Sequence, residues 1–218
     1  RCAIVTGVQT CALPIWGEHD SARIYFAKAM KISEGIDDDE SRVVIYNDLG
    51  ESYATEGQLL LALKKYNKAM HVADSISSPA LKVQPLSNIT DAYLKLGDYK
   101  DAIEYGFTLL DLTRRHGLKN TRSFAFIALG SAYKAINDYS KAMEFYAKAL
   151  NHAKKQNKPG TQAEALQNIG GVLLKRNEAA KATNYFKKVL KLYNHLNDKA
   201  GKALVLNDIA RAYYQLEL

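Results

Sequence analysis

Cysteine and proline are scarce in this sequence. Among 218 residues there are only two cysteines and four prolines. Both cysteines, Cys2 and Cys11, stand near the N terminus, so residues 16–218 cannot form a disulfide, a cysteine-based zinc site or a thiol active centre. With so few prolines, long helices are permitted over most of the chain.

Long apolar runs are also missing. No stretch approaches the roughly 18 to 20 consecutive apolar residues that cross a bilayer, so we expect no membrane span. A hydrophobic content of 47% and a charged content of 24% are typical of globular chains. The length permits one or two domains with a sizeable core.

The first fifteen residues do not follow the pattern found in the rest of the chain. Residues 5–15 resemble the conceptual translation of a common short-read sequencing adapter, and we interpret residues 1–15 as a non-native, adapter-derived segment. The alternative is a genuine apolar N-terminal segment such as a clipped signal peptide. Because the adapter interpretation removes the native N terminus, the compartment stays open between the cytoplasm, which we favour, and the periplasm.

One pattern then recurs every 40 residues. It consists of a large residue, a small residue and a second large residue three positions later: Leu49-Gly50 with Tyr53, Ile89-Thr90 with Tyr93, Leu129-Gly130 with Tyr133, Ile169-Gly170 with Leu173, and Ile209-Ala210 with Tyr213. A residue that tolerates left-handed backbone follows in the same register at Gly17, Gly57, Gly97, Asn137 and Asn177. The pattern predicts a tight turn at each of these positions.

A second helical pattern follows each turn. One example is the trio Ala62, Tyr66 and Ala69. The spacings of four and three residues place these side chains on one helix face. Each repeat is therefore predicted to contain helix A, a tight turn, helix B and a short loop. We expect the small residue of helix A to admit a neighbouring helix, with the large residue three positions later filling the space beside it. Pro85 should shorten or kink the helix A in which it lies.

These motifs resemble the tetratricopeptide repeat. The resemblance covers essentially all of residues 16–218 and implies an all-α fold, a right-handed α-α superhelix of antiparallel helix pairs. The 40-residue period is longer than the usual 34 and is similar to that of long-helix variants. The predicted organisation is helix B at 18–34, repeats at 40–76, 80–116, 121–156 and 160–196, and a half repeat at 199–216, with truncation at both ends.

In the tetratricopeptide family the A helices line a concave groove that holds partner peptides. Carried onto this sequence, the groove positions are Asn47, Glu51, Ser87, Asp91, Ser131, Lys134, Gln167, Asn207 and Arg211. Polar side chains there could bond the backbone of an extended peptide or, alternatively, neighbouring helices and water. Acidic residues at one end and basic residues further along favour a dipolar ligand.

No pattern of catalytic or metal-binding residues is present. The five histidines occupy different repeat positions, and the glycines lack a phosphate-loop context, so we expect no catalytic site, metal or cofactor. Residues 141–202 carry thirteen Lys or Arg against four Asp or Glu. That excess suits an acidic partner, anionic lipid or nucleic acid, but we favour solvated outer faces of B helices and expect no specific nucleic-acid partner.

The sequence therefore predicts a non-catalytic scaffold that binds a protein or peptide. We expect it to be the interaction module of a bacterial regulatory protein. The alternatives are the sensory domain of a histidine kinase, cyclase or transcriptional regulator, and a structural assembly adaptor. The helices at 18–34 and 199–216 are expected to expose apolar stripes through which the fragment could self-associate.

Overall fold

The structure is a computed structural model that describes the backbone of residues 9–217 and the side chains of residues 22–217. Residues 1–8, which hold part of the proposed adapter segment, lie outside the described residues. Within residues 9–217 every regular element is a helix, which confirms the predicted all-α class.

Ten α-helices and one short 3₁₀ helix make up the described chain. Their bounds are α1 Gln9–Gly35, α2 Asp39–Thr55, α3 Leu59–Ser75, the 3₁₀ helix Ala80–Lys82, α4 Val83–Leu96, α5 Tyr99–Arg115, α6 Arg122–Ala135, α7 Tyr139–Lys155, α8 Pro159–Lys175, α9 Ala179–His195 and α10 Lys199–Glu217. The even-numbered helices correspond to helix A and the odd-numbered helices to helix B. Within the described residues the chain forms two compact units, unit 1 up to residue 88 and unit 2 from residue 89 onward.

The helices are separated by turns of one type. A residue with positive φ occurs every 20 residues, at Asp37, Gly57, Ser77, Gly97, Gly117, Asn137, Asn157, Asn177 and Asn197. The N–H of the next residue bonds the carbonyl five positions back, as from Gln58 to Tyr53 at 2.9 Å. This pairing closes the C-terminus of each helix in the Schellman manner.

The turn predictions are confirmed at Gly57, Gly97, Asn137 and Asn177. The prediction for Gly17 was wrong, because that residue lies inside α1, which begins at Gln9 rather than at residue 18. The turns between helix B and the next helix A lie in the short loops that the sequence predicts, but their left-handed residues were not predicted. Residues such as Asp37 and Ser77 occupy the left-handed position there, where glycine or asparagine is the usual signal.

Pro85 lies in the first turn of α4, where a backbone N–H has no partner within the helix. The three residues before α4 form the 3₁₀ helix, and α4 has 14 residues where α2 has 17. Helix α6 also has 14 residues and contains no proline. Proline therefore accounts for the late start of α4 but not for that of α6.

The small residue of helix A packs against an aromatic ring of the following helix B. Added Cβ atoms at Gly50, Gly130 and Gly170 would collide with the rings of Tyr66, Tyr146 and Phe186 respectively. At Gly130 the separation from the Tyr146 ring would be 2.6 Å. The expectation that the small residue admits a neighbouring helix is therefore confirmed, and the ring that lies over it belongs to helix B. Where helix A carries Thr90, the equivalent residue of helix B is Gly106.

Each unit has an apolar core at these positions. In unit 1, Val43 packs with Ala69 and Ala73. In unit 2, Leu129 is fully buried and Ile169 is 3% exposed. The recurring large residue of helix A therefore faces neighbouring helices.

Candidate partner-binding groove

Three A helices of unit 2 line one groove. It has a volume of about 630 Å³ and lies along α6, α8 and α10. The lining residues are mostly charged or amide-bearing: Lys134, Glu164, Gln167, Asn168, Gly171, Leu174, Lys175, Asn177, Asp208, Arg211 and Gln215. All of them lie on A helices except Asn177, which lies in the turn after α8.

Gln167 and Asp208 join α8 to α10. The Gln167 Nε2 donates to Asp208 Oδ2 at 2.6 Å, and Tyr193 donates its hydroxyl to Gln167 Oε1 at 3.5 Å. Arg211 lies 3.7 Å from Asp208, and its side chain is 65% exposed. The guanidinium is therefore open to solvent at the rim of the groove.

Lys134 joins α6 to α8. Its Nζ donates to Asn168 Oδ1 at 3.1 Å and lies 5.9 Å from the centre of the Tyr146 ring. Burial lowers the pKa of the Lys134 ammonium, with a smaller contribution from nearby Lys175 that Asp208 opposes. Lys134 is thus a partly desolvated cation, and an anionic group would be attracted to it more strongly than to a lysine in water.

Ser131 and Tyr146 lie beneath this surface, 3.1 Å apart between their hydroxyl oxygens. Burial raises the pKa of the Tyr146 phenol. Burial also raises the pKa of the Asp91 and Glu164 carboxyls, and for Glu164 repulsion from Asp91 adds to the effect. Both carboxyl side chains remain accessible to solvent although surrounding protein desolvates them in part.

Gln215 lies near the end of α10. Its Nε2 donates to the Leu174 carbonyl at 3.2 Å and to Asn177 Oδ1 at 2.6 Å. These bonds fix the last turns of α10 against the end of α8. The hydrogen-bonded amide of Gln215 therefore forms the boundary of the groove near the end of α10.

The unit 1 positions behave differently. Asn47 is only 6% exposed, and its Oδ1 accepts a hydrogen bond from Asn88 Nδ2 at 2.9 Å. Ser87 is half-buried and Glu51 is exposed. The amide of Asn47 thus holds two A helices together. This is the alternative given above, in which the polar groups bond neighbouring helices and not a peptide.

Three of the nine sequence-predicted positions, Lys134, Gln167 and Arg211, lie together in the unit 2 groove. Asn207 is exposed but does not line it. Sequence reasoning missed Glu164, Asn168, Lys175, Asp208 and Gln215, all groove residues. A spacing of 41 residues would have found two of them, because Asn47–Asn88, Gln167–Asp208 and Leu174–Gln215 are all bonded at that separation.

The comparisons with known proteins agree with the all-helical repeat fold. Family models described as tetratricopeptide repeat match residues 86–118, 125–160 and 162–199. The chain carries tetratricopeptide repeats. No curated protein sequence matches this tetratricopeptide chain significantly.

Solved structures share the fold. BtubC from P. vanneervenii is 17% identical, with a TM-score of 0.74 over 91% of this chain and 83% of BtubC. A Rap protein complexed with Competence and Sporulation Factor is 14% identical, with a TM-score of 0.77 over 93% of this chain and 60% of that one. The Rap conjugation gene regulator of plasmid pLS20, in complex with a Phr peptide, is 15% identical, with a TM-score of 0.75 over 93% of this chain and 59% of the regulator. The tetratricopeptide chain therefore spans about three-fifths of these two Rap chains.

Unit 1 of the tetratricopeptide array has a groove of another kind. It lies between α1 and α2, has a volume of about 430 Å³ and is largely apolar. Ile32 and Ile36 contribute from the end of α1 and its turn, and Val44 contributes from α2. These three side chains are 65%, 67% and 49% exposed.

The basic region has an outward-facing surface. Six lysines, Lys148, Lys154, Lys155, Lys187, Lys188 and Lys191, are exposed on the B helices α7 and α9. Among the side chains of residues 22–217 no three His, Cys, Asp or Glu residues are grouped as metal ligands. Over the same part of the chain, no helix combines the length and apolarity needed to cross a membrane.

Proposed function

We propose that this chain is a non-catalytic scaffold that binds an extended peptide segment of a partner protein in the unit 2 groove. The observation that carries the proposal is the convergence of α6, α8 and α10 on one groove, to which α6 supplies Lys134 and the other two helices supply several polar side chains each. The groove between α1 and α2 in unit 1 lacks such a set and is mainly apolar.

The groove amides suit a peptide backbone. An extended peptide presents N–H and C=O groups that lose free energy when they are buried without partners. Each carboxamide carries two N–H donors and an oxygen with two lone pairs. The bonds of Gln167 and Asn168 use only part of this capacity. Both side chains therefore retain capacity to bond a peptide that lies along α8.

The groove charges favour a peptide that carries an acidic side chain. Lys134 is partly desolvated, and Arg211 is 65% exposed, with only a 3.7 Å contact to Asp208. A carboxylate can accept two parallel hydrogen bonds from a guanidinium. Glu164 lines the same groove and would attract a basic side chain elsewhere on the ligand. The preferred peptide is therefore dipolar.

The proposed biological setting is the interaction module of a bacterial regulatory protein. The support is the shared fold with the two Rap structures, one complexed with Competence and Sporulation Factor and the other with a Phr peptide. In this setting a bound peptide would report to another protein, with no chemical turnover on this chain.

The test is selection of linear peptides from a random phage-displayed library on the 218-residue chain, followed by affinity measurements on synthetic versions of the enriched peptides. The groove variant is Lys134→Glu with Arg211→Glu. The control is Lys154→Glu with Lys191→Glu, which makes the same charge change on exposed B-helix positions.

We expect the groove variant to bind at least about tenfold more weakly, which corresponds to roughly 1.4 kcal/mol. The control should remain within about twofold of the original chain, since its substitutions affect only the general field of the protein. Equal loss in both variants would refute the groove as the site, as would failure of the library to yield any binding peptide.

A further inference from the structure

The outer face of α3 in unit 1 is open to solvent along its length. It is formed by six exposed residues, Leu60, Leu61, Lys64, Asn67, Lys68 and His71. The face begins with two leucines, of which Leu60 is 74% exposed and Leu61 is 44% exposed.

Leucine is unusual at these two positions of the repeat. The equivalent residues of the B helices in unit 2 are polar or small: Lys100, Asp101, Ser140, Lys141, Ala180 and Lys181. Five of those six residues are exposed as well. The open position is therefore a property of the repeat and does not depend on where the sequence begins, whereas the two leucines are particular to α3.

Lysines follow the leucines on the same face. Leu60, Lys64 and Lys68 are spaced by four residues, which places them in one row along the helix. Residues 57–73 contain no Asp or Glu. None of the ion pairs among the described side chains includes Lys64 or Lys68. Burial lowers the pKa of neighbouring Lys65, and repulsion from Lys68 and Lys64 lowers it further, so positive charge is crowded on this helix.

An open cleft lies beside these lysines, between α2 and α3. It has a volume of about 470 Å³ and is lined by Tyr46, Lys64, Asn67, Lys68, His71 and Val72. The Lys68 Nζ lies 5.4 Å from the centre of the Tyr46 ring. An ammonium group binds phosphate as a point charge, and a carboxamide adds N–H donors. The cleft therefore offers a phosphate group two cations and the amide of Asn67.

We propose that the outer face of α3 attaches this chain to the surface of an anionic phospholipid membrane. Leu60 and Leu61 enter the boundary between headgroups and acyl chains, while Lys64 and Lys68 bind lipid phosphates. The leucines favour this occupant over a nucleic acid, whose phosphates and stacked bases bind cations and aromatic rings. Two leucines and two lysines give weak, reversible attachment, so the protein lies on the membrane without crossing it.

The test is flotation of the 218-residue chain with vesicles. One preparation contains phosphatidylglycerol and phosphatidylcholine in equal amounts, and the other contains phosphatidylcholine alone. The chain should float with the anionic vesicles only. Lys64→Gln with Lys68→Gln should weaken binding by about fivefold for each lysine removed. Leu60→Ser with Leu61→Ser should weaken it by about tenfold, because the apolar contact is lost.

The control is Lys187→Gln with Lys188→Gln, which removes the same charge from exposed positions of α9 and should change binding by less than about twofold. Circular dichroism checks that each variant keeps its helix content. Equal losses in the control and in the Lys64 and Lys68 variant would indicate general charge attraction and overturn the proposal. Full binding by the leucine variant, or equal binding to both kinds of vesicle, would also overturn it. Failure of the original chain to bind anionic vesicles would overturn it in favour of an acidic protein or a nucleic acid on this face.

Discussion

Units 1 and 2 share one packing device and differ in the chemistry of their grooves. Gly50 under Tyr66 in unit 1 repeats as Gly130 under Tyr146 in unit 2. The unit 1 groove is lined by exposed side chains such as Ile32, while the unit 2 groove is lined by charged and amide side chains. Packing is therefore set by one register of the repeat, and surface chemistry is set by other positions.

The same helix position also serves two purposes. Asn47 in unit 1 and Gln167 in unit 2 occupy equivalent places, and each bonds a residue 41 positions later. Asn47 is 6% exposed, whereas Gln167 lines the open groove. A buried amide holds helices together, while an amide at a groove wall can also meet a ligand.

The largest expected effect is removal of the aromatic ring in either unit. Tyr66→Ala in unit 1 and Phe186→Ala in unit 2 should each lower the free energy of unfolding by about 3–5 kcal/mol, because each empties a core position. Urea denaturation followed by circular dichroism measures this loss. Tyr25→Ala, at a side chain that is 68% exposed, should cost less than about 0.5 kcal/mol. A small loss in only one unit would show that the packing device is not shared.

The next effect concerns the glycines. Gly50→Ala and Gly130→Ala should each lower the free energy of unfolding by about 1–3 kcal/mol, because the added Cβ overpacks an aromatic ring. Gly171→Ala is the matched control, since a Cβ there meets nothing within 4 Å. It should stabilise the helix by about 0.5–1 kcal/mol. Stabilisation by all three substitutions would contradict the close helix approach.

Alanine substitutions of the equivalent amides Asn47 and Gln167 should lower the free energy of unfolding by different amounts in the two units. Asn47→Ala leaves Asn88 without its interhelical partner and should cost about 1–3 kcal/mol. Gln167→Ala should cost less than Asn47→Ala, because Asp208 remains accessible to water and lies near Arg211. Unfolding free energies of the two variants give the comparison. A larger loss for Gln167→Ala would reverse the assignment of structural and binding roles.

The smallest effect is a pKa change within unit 2. Repulsion from Asp91 is the second cause, after burial, of the raised pKa of Glu164. Asp91→Asn should therefore lower the pKa of Glu164 toward its ordinary value without fully restoring it. Carboxyl carbon NMR over a pH titration measures this shift, and an unchanged Glu164 pKa would show that the two carboxyls do not interact.

The sign of the pH dependence follows from the raised pKa of these carboxyls. Between the ordinary pKa and the raised one, the folded state holds more protons than the unfolded state. The stability contributed by Glu164 protonation is therefore complete below its ordinary pKa and is lost as pH rises through the folded value. Asp91→Asn should narrow the pH range over which that loss occurs.

Much of the fold could be predicted from the sequence because its signals are local. The Leu-Gly pairs and the turn residues Gly57 and Gly97 repeat every 40 residues and mark one turn of each repeat. The turns between helix B and the next helix A carry the same kind of signal at Gly117, Asn157 and Asn197, whereas Asp37 and Ser77 occupy the left-handed position without it. The aromatic partners of Gly50, Gly130 and Gly170 lie 16 positions away in another helix, beyond any local pattern.

The candidate groove was predictable only in part. Lys134, Gln167 and Arg211 follow from the repeat register. Asn168 and Asp208 each follow a predicted groove position, Gln167 and Asn207 respectively. Whether such a neighbouring residue lines the groove depends on how each A helix is rotated about its own axis. The burial that lowers the pKa of Lys134 depends on surrounding residues from several helices. Such environments arise only after packing.

The central claim is that the A helices of unit 2 bind the partner peptide, while the B helices supply the buried aromatic side chains that stabilise the fold. Hydrogen–deuterium exchange of the chain with and without an enriched peptide tests this most directly. We predict added protection on α6, α8 and α10 with little change on the outer lysine-bearing turns of α7 and α9. Protection concentrated on α7 and α9, with α8 unchanged, would contradict the account.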